Sequence, residues 1–123
     1  NHDWNRRQFT AKMIEDWNPR TAEHRKAIER IKPGLVDLNN KQQFKELTKA
    51  EAEKIYDSEP GSDDWELRFH LIELLNYFEY IAACHYNGVT DETMLNESFR
   101  NVVIMWHKVL YNFIDVFEKK RLC

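Results

Sequence analysis

Three glycines and three prolines are all that interrupt 123 residues. Loop-rich sandwiches, collagen-like repeats and Pro/Gly-rich disorder are excluded by that scarcity, which instead suits long helices joined by short turns. Cysteine is as sparse: Cys84 and Cys123 are too few for a disulfide framework and fit a reducing, cytoplasmic compartment. There is no apolar run of the roughly eighteen residues a bilayer span needs, and no signal-peptide pattern opens the chain. An excess of one charge is missing too. Eighteen Lys and Arg face 21 Asp and Glu, a formal net charge of -3. That balance gives no global pull toward nucleic acid or an anionic membrane surface. Gly-rich phosphate loops, nucleophile elbows and the His-Glu-x-x-His zinc pattern are absent.

Aromatic residues are plentiful, 13% of the chain, so a packed core is expected in one domain spanning 1–123. The stretch from Leu67 to Ala83 organises it. Leu67, Leu71, Leu74, Leu75, Phe78, Ile81 and Ala82 recur at i, i+4, i+7, i+8, and Ile72, Tyr77 and Tyr80 widen the stripe. Asp63 as N-cap with Glu66 three residues on gives this helix a capping-box start, and Asn87-Gly88 ends it. Leu95, Phe99, Val102, Trp106, Val109, Leu110, Phe113, Val116 and Phe117 form a second stripe. It predicts one last helix from a Thr90 or Asp91 cap to about Arg121, antiparallel to the first across the short turn.

Upstream, the spacing predicts a helix from Asp3 to Trp17, a break at Asn18-Pro19, and a charged peripheral helix from Pro19 to Lys32. A further helix follows Asn39 or Asn40, with Phe44, Leu47, Ile55 and Tyr56 on one face. The fold class is all-α: a single bundle of four to five helices with a long antiparallel C-terminal helix pair.

His70-x-x-Glu73 has i, i+3 spacing but no second copy of the motif, and Cys84-His85 are adjacent and diverge on a helix, so neither predicts a metal ion, a cofactor or a catalytic thiol. Arg68 and Glu79 border the central stripe and each calls for a partner on another helix. With Asn76 and His107 they make the candidate polar site, Arg68, Asn76, Glu79 and His107. Trp4, Phe9 and Trp65 are the candidate interface residues, apolar side chains set beside charges.

Asp3-Trp4-Asn5-Arg6-Arg7 followed by Asp16-Trp17-Asn18, then Leu75-Asn76-Tyr77-Phe78-Glu79-Tyr80-Ile81-Ala82, Gly88-Val89, Asp91-Glu92 and Trp106 resemble the bacterial and phage family called domain of unknown function 4760. The resemblance implies an all-helical fold, often placed after an N-terminal membrane anchor. A chain opening on Asn1-His2-Asp3 without methionine fits a fragment of such a protein. The resemblance carries no activity and no catalytic residue.

The favoured expectation is a non-enzymatic interaction module with a protein partner or self-association, cytoplasmic and tethered through a segment outside this sequence. The alternative is an enzyme or small-ligand-binding bundle using the interhelical polar pocket. A third is nucleic-acid binding through Arg6-Arg7, Arg25-Lys26 with Arg30, and Lys119-Lys120-Arg121.

Overall fold

A computed structural model describes residues 2–35 and 45–121. The chain forms α1 (His2–Ile31), α2 (Lys49–Tyr56), α3 (Asp63–Tyr86), α4 (Glu92–Val109) and α5 (Tyr111–Arg121). There is no strand among the described residues, and no helix there is long and apolar enough to cross a membrane. The expected caps Asn39 and Asn40, and Phe44, lie outside the described residues.

Helix α1 runs straight through the expected break at Asn18-Pro19. Pro19 faces solvent, so its ring displaces no neighbouring helix, and its cost is local: one backbone donor lost and the Glu15 carbonyl crowded by the ring. Tertiary anchors on either side outweigh that loss: Met13, Ala27 and Ile28 are buried, and the buried Thr21 hydroxyl donates to the Trp17 carbonyl at 2.6 Å. The cap of α3 also sits one residue earlier than the spacing suggested. Ser62, not Asp63, accepts from the Trp65 N–H at 3.2 Å, which leaves Asp63, Asp64 and Glu66 in the first turn against the positive helix end. Thr48 and Glu51 supply the true capping box, at the start of α2, which also takes Leu47 out of the helix it was expected to join.

Two apolar clusters show how α3 and the C-terminal helices lie. Leu67, Leu71 and Leu74 pack with Trp106, Val109, Leu110, Phe113 and Val116. Farther along α3, Ile81 and Cys84 pack with Leu95 and Phe99, and with Met13 of α1. Early α3 meets late α4–α5 and late α3 meets early α4, as an antiparallel pair requires. Backbone contact is closest elsewhere, between α1 and α3 and between α2 and α5. Trp17 bridges the α1–α3 seam, its ring 5.5 Å from Phe78, 5.6 Å from Tyr77 and 5.8 Å from Phe99.

The last helix is not continuous. It stops at Leu110 and restarts as α5. At the break the Val109 carbonyl accepts from the Leu47 N–H at 3.0 Å, and the Asn112 side-chain amide donates to the Leu47 carbonyl at 2.8 Å. The stripe of apolar residues could not reveal this, because Val109, Leu110 and Phe113 stay buried on both sides of it. Asn112→Ala leaves the Leu47 carbonyl without this donor and is expected to cost about 1–3 kcal/mol of unfolding free energy in urea titrations. Pro19→Ala restores a helical N–H at an exposed site and is expected to raise stability by roughly 1 kcal/mol or more in the same assay.

Candidate functional site

A groove of about 210 Å³ opens between α3 and α5. Ile72, Leu75, Asn76 and Glu79, at i, i+3, i+4 and i+7, line it from α3, and Ile114, Phe117 and Glu118 line it from α5. Its floor is the rim of the core, since Ile72, Leu75 and Ile114 pack against the larger apolar cluster. Phe117 is set by edge-on contact with Tyr56, ring centres 5.9 Å apart. The rim is polar: Asn76, Glu79 and Glu118 are exposed. Among the described residues no cation lines the groove, and neither carboxylate joins an ion pair.

Of the four residues expected to form one polar pocket, only Asn76 and Glu79 share this groove. Arg68 lies elsewhere. Its guanidinium stacks over the rings of Tyr56 and Trp65, 5.1 Å from each centre, and its buried Nε has no hydrogen-bond partner among the described residues. Aromatic faces take the place of the expected carboxylate. His107 is exposed and stands edge-on to the Tyr111 ring, ring centres 6.3 Å apart, outside this groove. The interface candidates also part company. Trp4 is 60% exposed and Phe9 38%, near the start of α1. Phe9 lies in a shallow depression with His2, Asn5, Arg6, Gly88 and Val89. Trp65 sits beside the far end of α1, where Arg30 pairs with Glu66, so the three make no common patch.

The basic clusters are occupied as well. Arg6 donates to the Gly88 carbonyl at 2.9 Å, Arg7 faces Asp91, and Arg25 donates to Asn18 and Thr21. Lys119 pairs with Asp115, and Lys120 with Asp57. A surface tracking phosphates needs its cations free and convergent, and each of these five has an acceptor within the chain.

The buried polar feature of the bundle is a histidine pair that sequence spacing did not connect. His70 is 8% exposed, and its Nδ1 lies 2.9 Å from Nδ1 of His24 on α1. One ring must donate and the other accept, so the pair holds one proton between the two nitrogens comfortably and two badly. The nearby motif partner Glu73 takes no part, and no group of three potential metal-ligating side chains occurs among the described residues. Burial and the neighbouring His24 push His70 below the ordinary histidine range, and Glu66 and Glu23 only partly oppose them. Just past the C-terminal end of α1, the Lys32 ammonium and then the Thr48 backbone N–H hold Glu51 down to about 2.

The family model described as Domain of unknown function (DUF4760) matches residues 1–121. The chain belongs to this family. No curated protein and no solved structure matches it. In this DUF4760 chain, then, the site must be argued from its own side chains.

Both titrations carry a sign. With His70 lower in the folded state than in the unfolded chain, the unfolded chain takes up the proton first as pH falls. The stability tied to the pair is complete above about 6.5 and is lost as pH drops through the folded value. Glu51 follows with a contribution complete above about 4.5 and lost as pH falls through about 2. Thermal midpoints should therefore fall between pH 7 and pH 5, and His70→Phe should flatten that part of the curve while leaving the acid limb in place.

Proposed function

We propose that this chain is a non-enzymatic helical interaction domain whose contact surface is the α3–α5 groove. The observation that carries the reading is the groove's make-up: four apolar side chains on the floor, with two carboxylates and an amide on the rim and, among the described residues, no cation lining it. Water is a poor occupant of such a floor, and a segment that brings apolar side chains and a positive charge satisfies both parts at once.

Size favours a protein segment over a metabolite. Small-molecule pockets run from about 300 to 1,000 Å³ and enclose most of their ligand. This one is smaller and open to solvent along its length. Nor do the described lining residues supply a hydroxyl or thiol nucleophile or a cationic stabiliser beside Asn76, Glu79 and Glu118.

A labelled helical peptide built of leucine and lysine serves as the probe, followed by anisotropy and by amide shifts in the labelled protein. Saturable binding should perturb the amides of Ile72–Glu79 and Ile114–Glu118. The pair of changes Glu79→Lys and Glu118→Lys should weaken it at least about tenfold. Absence of binding, or binding indifferent to those changes, would falsify the assignment.

A further inference from the structure

The groove has a counterpart on the same molecule. Arg100, Ile104, Lys108 and Tyr111 recur at i, i+4, i+8 and i+11, the spacing of one strip along the outer face of α4 and its junction with α5. All four are exposed; Ile104 stands 42% and Tyr111 58% in solvent. Neither Arg100 nor Lys108 joins an ion pair among the described residues. Glu97, one turn before Arg100, brings a single carboxylate to the strip. Two large apolar side chains flanked by two free cations are what the groove lacks and would accept.

Strip and groove are also continuous. Tyr111, Ile114 and Glu118 lie at i, i+3 and i+7 on α5, so the strip runs directly into the groove wall. On the joined surface the α4 side carries the cations Arg100 and Lys108 with Ile104 between them, and the α5 side leads to the carboxylates Glu118 and Glu79 of the groove. A surface with that order of charge matches itself when a copy is turned end over end about a two-fold axis.

We propose that the partner of the groove is a second copy of this chain, docked antiparallel across a two-fold axis over the outer side of Val109. This inference rests on the interaction reading above and names its partner. The register follows from chain position. Arg100 and Glu118 lie at equal chain distances on either side of Val109, and so do Ile104 and Ile114, and His107 and Tyr111. Each Arg100 then enters the other copy's groove beside Glu118 and Glu79, Ile104 rests on Ile114, and His107 meets Tyr111. The strip from Arg100 to Glu118 is about 27 Å long at 1.5 Å per residue. That is shorter than a large obligate interface needs, so a reversible dimer is expected.

Sedimentation equilibrium on the whole chain, from low-micromolar to near-millimolar concentration, tests the proposal. The unaltered protein should pass from monomer to dimer. Arg100→Glu alone and Glu118→Arg alone each place like charges opposite one another twice, and each should weaken self-association at least about tenfold. Mixing the two altered proteins restores opposite charges at both contacts and should return a heterodimer as tight as the original. Both positions are exposed, and circular dichroism confirms that the variants keep their helices. A chain monomeric at every concentration, or a dimer indifferent to either reversal, or no recovery on mixing, overturns the two-fold docking. A monomer that still binds the leucine–lysine peptide in the groove sinks only the second-copy inference. A monomer that binds neither removes the interaction reading with it.

Discussion

The bundle depends on a pair of hydrogen bonds, one to a backbone carbonyl and one from a side-chain amide, made by the backbone of Leu47. Its N–H fills the carbonyl that Val109 would otherwise offer to its own helix, and its carbonyl is filled in turn by Asn112. Leu47 itself is wholly buried. Every buried backbone group needs a partner, and here the break in one helix and the irregular stretch before another satisfy each other. The result ties the segment before α2 to the α4–α5 junction, next to the α5 residues that wall the groove against α3.

Much of this architecture was written in apolar spacing, and the exceptions have physical causes. Most residues of the stripes from Leu67 to Ala82 and from Leu95 to Phe117 do face the core, because burial dominates the choice of face; Tyr80 and Ala82, counted in the first stripe, are exposed instead. Periodicity is blind to a break that keeps the same face inward, so Leu110 passed as helix interior. Pro19 misled for the opposite reason: local preference argued for a stop, and the packing of Met13, Trp17 and Ile28 overrode it. Capping was read one residue late at Asp63 because Ser62 and Asp63 are both good caps and only the backbone decides between them.

The candidate site was half legible. Asn76 and Glu79 stood out as polar residues in an apolar helix, and they do line the groove. Their companions there, Ile114, Phe117 and Glu118, belong to a helix whose orientation no spacing rule supplies. Arg68 was rightly marked as a charge in want of company, but two aromatic rings provide it rather than an acid. The histidine pair joins residues 46 apart in sequence, and only the antiparallel run of α1 against α3 brings them face to face.

The first turns of α1 hold the turn between α3 and α4. Arg6 reaches the carbonyl of Gly88, 82 residues away, and the buried hydroxyl of Thr10 takes the N–H of Asp91, 81 residues away. During synthesis at roughly 5–20 residues per second, α1 leaves the ribosome several seconds before those partners exist. Met13, Trp17 and Ile28 spend that interval uncovered, and the loop that finally closes is nearly as long as the domain itself. The nascent chain therefore carries its first helix as an unsheltered apolar ridge until α3 and α4 emerge to cover it.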